Sequence, residues 1–333
     1  MSLNELRTLG RTGALISPLT LGTLNFGTGT APTGPADSIR IIKAALDAGI
    51  TSIDTADIYG GGSNEELIAR LLRERRDDVQ LATKFALVGT PADGYTDIRG
   101  DAAYIRQAVD RSLQRLGTDV IDLYYMHRRD LRVPIVETVE AMAELVQHGK
   151  IRHLGLSEVT AQELAEASAV HPIAAVQSEW SIWSRDVERN VVPAAATLGV
   201  GFVPYSPLGR GFLTGTVDAA SLGSNDFRRR IPRFAPEAAD ANQAVVATVQ
   251  SVANELEATP AQVALAWLLA QGERLGLPVV PIPGTRKRHR IDENLGALSL
   301  DLSPAQLDAL AAASDAVVGS RSADPAWVSE GRE

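Results

Sequence analysis

Ile121-Asp-Leu-Tyr-Tyr-Met126 is a short apolar run, followed by an amphipathic stretch at residues 134–147 and a second apolar run that begins at Ile151. Pro134 sits at the first helical turn of the stretch between them and Gly149 closes it, the usual asymmetry of a helix start and stop. Strand, helix, strand in that order is the unit of a parallel sheet, because parallel strands need a long crossover and a helix supplies it. The same alternation extends in both directions. Upstream, strands at 19–22, 51–54 and 79–84 precede helices at 37–48, 64–75 and 102–116. Downstream, strands at 151–156 and 174–177 precede helices at 161–170 and 187–197. A strand at 200–204 then leads through a Gly/Arg-rich loop to helices at 242–257 and 260–270, and 279–282 precedes a helix at 289–298.

Eight strand-then-helix units in roughly 280 residues fit a closed (β/α)8 TIM barrel better than an open doubly wound sheet. Periodicity does not count closure, so the open sheet stays as the alternative. Residues 1–17 read as a β-hairpin lid over one mouth, 206–240 as a long loop after strand seven, and 314–333 as an irregular C-terminal tail. No low-complexity linker divides the chain, and residues 1–333 read as one barrel domain.

Composition narrows the function classes. At 333 residues and 45% hydrophobic, a core forms without disulfides or a structural metal. There are no cysteines, which excludes a thiol nucleophile, a CxxC redox pair, an iron–sulfur centre and a cysteine zinc site. Thirty-two Lys and Arg stand against 41 Asp and Glu, a formal charge of −9. Nucleic-acid and anionic-membrane binders need a positive footprint that such a chain lacks. The most apolar stretch, residues 191–204, is interrupted by proline and glycine and is too short to span a bilayer. The opening residues MSLNELRTLGRTG lack the apolar core of a signal peptide, so a cytoplasmic protein is expected. No exposed heptad or apolar helix stripe demands a partner, which makes a monomer the default.

In a barrel of this kind the chemistry gathers at the C-terminal ends of the strands. Asp54 ends the second strand and Tyr59 follows it, Lys84 ends the third, and His127 the fourth. Ser157 and Glu158 end the fifth, Gln177 the sixth, and Tyr205 and Ser206 the seventh. Taken singly, Asp54 reads as a turn cap, Tyr59 as a half-buried aromatic and His127 as a core histidine. Lys84 carries more information, because Lys43, Lys84, Lys150 and Lys287 are the only lysines. Together the four converge on one mouth. A phenol has a reference pKa near ~10, and an adjacent ammonium favours its ionised form and lowers that value. A carboxylate fixes the ammonium, and an imidazole orients or polarises a carbonyl. The quartet thus makes a tuned general acid.

Asp54-x-Ala56-x-x-Tyr59-Gly60, Thr83-Lys84 and Tyr125-Met-His127 together resemble the catalytic tetrad of the aldo-keto reductases, and the resemblance runs from about Leu21 to Leu298. It implies NADPH-dependent reduction of a small-molecule carbonyl compound. Tyr59 would be the general acid, Lys84 its modulator, Asp54 the anchor of Lys84, and His127 the group that orients the carbonyl. The hydride comes from a cofactor, since no side chain supplies one.

No GxGxxG fingerprint opens a helix after a strand; Gly27-Thr-Gly29 and Gly209-Arg-Gly211 read as turn glycines. The barrel offers phosphate sites in its last loops instead. The resemblance assigns Tyr205, Ser206, Pro207, Leu208, Gly209, Arg210 and Gly211 to the pyrophosphate loop, with Tyr205 stacking on nicotinamide. It assigns Ser157, Glu158 and Gln177 to the carboxamide, and Gly22, Thr23 and Leu24 to the ribose and diphosphate. At the eighth strand it assigns Ile282, Gly284, Thr285, Arg286, Arg290, Glu293 and Asn294 to the 2′-phosphate and adenine. Cations in the first turn of a helix oppose its dipole unless an anion docks there, which favours the same reading; a solvated basic patch is the alternative. Many members carry lysine where this chain has Gly284 and asparagine where it has Glu158.

A second basic cluster, Phe227-Arg-Arg-Arg230-Ile-Pro-Arg233-Phe234, reads as a loop folding over cofactor or substrate. Trp180, Trp183 and Trp327 are read equally as pocket lining or as cover for the helix layer. Two other functions compete with the reductase: a barrel aldolase with a Schiff base on Lys84, and a cofactor-binding regulatory subunit without turnover.

Overall fold

The computed structural model describes residues 6–11, 14–26, 34–89 and 96–333. Seven parallel strands run in chain order: β3 (Leu21–Gly22), β4 (Ser52–Asp54), β5 (Gln80–Phe85), β8 (Ile121–Met126), β9 (Ile151–Ser157), β10 (Ile173–Glu179) and β11 (Gly201–Tyr205). The helices between and after them are α1 (Pro35–Asp47), α2 (Ser63–Arg75), α3 (Ala102–Leu116), α4 (Ile135–Gln147), α5 (Ala161–Val170), α6 (Val191–Leu198), α7 (Pro236–Glu255), α8 (Pro260–Leu275), α9 (Arg288–Gly296) and α10 (Pro304–Ser314).

Closure comes from residues 278–283, which lie between β11 and β3. The Phe202 amide donates to Pro278 O at 2.8 Å, Val280 N to Phe202 O at 2.9 Å and Ile282 N to Pro204 O at 3.1 Å. On the other side Thr20 N donates to Pro281 O at 3.0 Å and Gly22 N to Pro283 O at 3.3 Å. Even-numbered residues thus serve β11 and odd-numbered ones β3. Pro281 and Pro283 have no N–H, so on the β3 side the segment only accepts. The barrel is closed, and the open sheet is set aside.

A hairpin of β1 (Arg7–Leu9) and β2 (Ala14–Ile16) covers the mouth at the strands' N-terminal ends. Leu9 and Ile16 pack with Ala174, Ala175, Val203 and Val280 inside the barrel, and Arg7 Nη1 donates to Val279 O at 2.7 Å. Gly201 makes room for this plug, since a Cβ there would lie 2.3 Å from Leu9 Cδ1. The opposite mouth is left to the loops after the strands. Thr12 and Gly13, between β1 and β2 in the chain, lie outside the described residues, as do Gly27 and Gly29.

Several elements depart from the sequence expectations. α6 begins at Val191 rather than at 187, because residues 186–188 form a 3-10 turn with Val187 buried. α7 begins at Pro236, six residues before the expected start, with proline in its first turn. A short antiparallel ladder of β6 (Leu87–Val88) and β7 (Asp97–Ile98) follows β5. α10 was not expected; Ser303 and Gln306 form the capping box that starts it. Among the described residues no helix is long and apolar enough to cross a membrane.

Interior packing leaves little slack. A Cβ on Gly155 of β9 would lie 2.3 Å from Cδ1 and 2.4 Å from Cε1 of the buried Tyr125. Forcing extra atoms into a filled core costs about 1–3 kcal/mol, so Gly155→Ala should lower the unfolding free energy by that amount, read as a lower urea midpoint with an unchanged m-value. An unaltered midpoint would show that Tyr125 moves aside freely.

Candidate active site

Three strand ends and one turn bring the expected quartet together. Lys84 is fully buried in β5, its ammonium on the Asp54 carboxylate and 2.8 Å from Thr55 O. Gln177 Nε2 donates to the other Asp54 oxygen at 2.9 Å, so both carboxylate oxygens are engaged. The Tyr59 ring centroid is 5.4 Å from Lys84 Nζ and 6.0 Å from the His127 ring, which it meets edge-on at 79°. Burial pushes the Lys84 ammonium below its ordinary range, while the charge of Asp54 and their hydrogen bond pull it back up. Burial, then the charges of Arg128 and Lys84, hold His127 well below its ordinary value. Its imidazole is neutral, and Nδ1 is buried with no hydrogen-bond partner among the described residues.

Side chains that the sequence did not single out set this geometry. Gly60, Gly61 and Gly62 have φ of 59°, 63° and 101°, a left-handed run that turns the chain from Tyr59 straight into α2 and favours glycine. Buried Asn64, at the start of α2, accepts from Thr23 Oγ1 at 2.9 Å and Thr55 Oγ1 at 2.7 Å, and donates to Thr23 O at 2.9 Å and Phe26 O at 2.6 Å. Glu65 accepts from Thr83 Oγ1 at 2.6 Å and Arg115 Nε at 2.7 Å. Burial and the neighbouring Glu65 push the Asp57 carboxyl up to about 8.

The residues assigned to the cofactor form a rim around the tetrad. Gly22 and Gly284 face each other at the closing seam: a Cβ on Gly284 would lie 2.9 Å from Gly22 O, and one on Gly22 would lie 2.8 Å from Ile282 O. The backbone contact leaves little room for a side chain at either position. Thr23 Oγ1 donates to Asp54 O at 2.8 Å, and Leu24 is exposed. In the loop after β11, Ser206, Gly209, Arg210 and Gly211 have φ of 50°, 58°, 55° and 93°. Pro207 and Leu208 lie between them, and a Cβ on Gly209 would lie 2.7 Å from Trp183 Nε1. Arg210 Nη2 is 2.9 Å from Glu179.

At the start of α9, Thr285 is buried and accepts from the Lys287 amide at 3.1 Å. Arg288 pairs with Asp292 at 2.5 Å. Among the described residues Arg286, Lys287 and Arg290 have no acidic partner. Asn294 is buried and Glu293 half-buried one turn on. The basic cluster at 227–234 lies against the loop after β11, with Arg228 Nη1 donating to Arg210 O at 3.1 Å. Arg233 is instead a buried anchor, donating to Trp183 O at 2.9 Å and Ser184 Oγ at 2.6 Å.

Glu158 departs from its assignment to the carboxamide. It is fully buried at a φ of 51°. Its carboxylate accepts from Tyr205 Oη at 2.7 Å and from Arg321 Nη1 and Nη2 at 2.9 and 3.0 Å. It also accepts from the Glu179 amide at 3.1 Å, and from Ser329 N and Oγ at 2.9 and 3.2 Å. Arg321 further pairs with Asp186 at 2.8 Å, and Arg332 with Glu163 at 3.2 Å. The C-terminal tail is therefore a strap fastened to the end of β9. It carries Trp327 to the Ala56–Ile58–Leu87 cluster beside Tyr59. Trp180 and Trp183 are core residues: Trp180 packs on Phe202 and Trp267, and Trp183 on Phe212 and Phe234.

Comparison with known proteins agrees with this arrangement. The sequence profile described as "Aldo/keto reductase family" matches residues 18–315. A probable aldo-keto reductase 1 of Glycine max is 44% identical over 303 residues, covering 90% of this chain and 86% of that one. The glycerol dehydrogenase of Gluconobacter oxydans superposes with a TM-score of 0.83 at 28% identity, covering 96% of this chain and 97% of that one. An aldo-keto reductase of Bacillus halodurans, solved in its holo form, gives 0.76 at 26% identity, over 96% and 99% of the two chains.

The latch at Glu158 has a pH signature. Burial opposes its ionisation, but the charge and hydrogen bonds of Arg321, the charge of Arg128 and the Ser329 amide bring its carboxyl down to about 2, from an ordinary 4.5. A depressed carboxyl stabilises the fold above its unfolded value and loses that contribution as pH falls through the folded one. Unfolding measured between pH 4.5 and 2 should therefore show a steeper loss of stability in the wild type than in Glu158→Gln. Parallel curves would remove the latch.

Proposed function

The chain belongs to the aldo/keto reductase family, and on that premise we propose that this oxidoreductase reduces aldehydes or ketones to alcohols with NADPH, using Tyr59 as the general acid. One observation carries the reading: a phenol, a neutral imidazole and a buried ammonium–carboxylate pair share one mouth of the barrel.

The residues at the rim fit a phosphorylated dinucleotide. The left-handed run at Ser206, Gly209, Arg210 and Gly211 bends the loop after β11 as a backbone cradle for a pyrophosphate requires. Gly22 and Gly284 keep the neighbouring seam free of side chains. Arg286 and Arg290, ahead of and within the first turn of α9, meet the need of a 2′-phosphate for charged donors. Thr285 would join them, with Glu293 and Asn294 beside the adenine. Ser157 and Gln177 would hold the carboxamide and Tyr205 the nicotinamide face, with Ile282, Thr23 and Leu24 alongside. Glu158 is left to the strap, because its oxygens already have partners. Bound there, the reduced nicotinamide supplies the hydride.

The protein's own part is proton delivery. The Lys84 ammonium lowers the affinity of the Tyr59 oxygen for its proton, and Asp54, fixed by Gln177, keeps that ammonium charged and in place. Neutral His127 offers a ring nitrogen to the carbonyl oxygen and orients it towards the phenol. Tyr59 gives up its proton as negative charge grows on that oxygen. A Schiff base on Lys84 is disfavoured, because its nitrogen is fully buried and committed to Asp54 and Thr55.

Loss of a positioned acid costs about 10²–10⁴-fold in rate. Tyr59→Phe should lower kcat by that factor while NADPH still quenches tryptophan fluorescence with the wild-type Kd; full activity would refute the role. A hydrogen bond to a charged group contributes about 1.5–3 kcal/mol. Arg286→Ala should therefore weaken NADPH by about 10–100-fold and leave NADH almost unchanged. Equal losses would remove the 2′-phosphate contact.

A further inference from the structure

Arg128 directly follows His127, and its donor groups have no task in the chemistry above. Its guanidinium carbon is 5.8 Å from the centroid of the Tyr205 ring and 5.4 Å from that of Trp327, close enough for both rings to hold it by cation–π attraction. Nη1 donates to His127 O at 2.6 Å and lies 3.3 Å from Ser157 Oγ. Nε is buried with no hydrogen-bond partner among the described residues.

Its neighbours are all paired. Arg129 and Arg332 reach Glu163, Arg132 reaches Asp130, Arg210 reaches Glu179, and Arg321 reaches Glu158 and Asp186. Among the described residues Arg128 has no ion-pair partner. Its charge is felt by the Glu158 carboxylate, but no carboxylate pairs with it directly and its buried Nε has no acceptor among the described residues, so the half-buried guanidinium is left short of hydrogen bonds. Its planar fork matches a carboxylate, which accepts two parallel N–H bonds from it. Trp327 packs with Tyr59 on the Ile58 and Leu87 cluster, which places an apolar surface between the guanidinium and the tetrad.

We propose that Arg128 determines substrate choice by binding a carboxylate on the molecule whose carbonyl faces Tyr59 and His127, so that the substrates are oxo acids. The inference rests on the reductase reading for its carbonyl and on the unpaired guanidinium for its acid. It also gives the strap a purpose, since Trp327 on that strap is one of the two rings that hold the guanidinium.

The test compares 4-formylbenzoate with its uncharged methyl ester in the wild type, Arg128→Met and Arg128→Lys, with NADPH affinity measured separately. A charged hydrogen-bonded pair is worth about 1.5–3 kcal/mol, so the wild-type acid-to-ester ratio of kcat/KM should be about 10 or more, carried by KM. Arg128→Met should bring the ratio close to one. Arg128→Lys, which keeps the charge and loses the fork, should fall between. The same ratio in all three proteins overturns the proposal, as does a loss of NADPH affinity matching the loss of turnover, which would assign the guanidinium to the cofactor. If the ester is reduced and the acid has no advantage, only the oxo-acid inference fails. If neither aldehyde is reduced, the reductase reading fails, and titration against tryptophan fluorescence still decides: acid binding that needs Arg128 supports the site, and equal binding of acid and ester overturns it.

Discussion

A charged amine in the middle of a protein must be compensated, and the top of this barrel is organised around that requirement. Lys84 has no exposure at all. An unpaired ammonium there would lose its proton or unfold its surroundings. Asp54 supplies the counter-charge, Thr55 O a second acceptor, and Gln177 fixes Asp54 from the opposite side. Three strands are thereby locked at one level, and the turn that carries Tyr59 starts from that level. The Tyr59 ring then lies with its centroid 5.4 Å from that buried ammonium.

The second organising pair is Glu158 with Arg321, which does for the strap what Asp54 with Lys84 does for the strands. Six hydrogen bonds converge on one carboxylate. The left-handed φ at Glu158 is a backbone cost of the kind that persists when surrounding contacts over-determine it. Tyr205 is shared between the two systems. Its hydroxyl belongs to the latch and its ring to the mouth.

The strand-end tetrad was legible from sequence because each member sits at a fixed offset from an apolar run, and a barrel gathers strand ends at one rim. Most helices were legible from their 3.6-residue pattern. The eighth strand was found as an apolar run, but its mode of closure was hidden, because three prolines interrupt the ladder and leave one edge with acceptors only. The strap was illegible for a different reason. Residues 315–333 have no period, and Arg321 is 163 positions from the Glu158 it meets. Local pattern does not encode a pairing over that distance. α10 was legible in principle, since Ser303-Pro-Ala-Gln306 spells a capping box. Trp180 and Trp183 could not be told from pocket residues, because aromatic content at a strand end fits either role until the neighbouring helices are placed.

The hairpin plug has a consequence for traffic. With Leu9 and Ile16 packed among Ala174, Ala175, Val203 and Val280, the far end of the barrel is filled, and the strap and the loop after β11 lie at the opposite rim. A stopper on one side of the molecule thus confines access from solvent to the other.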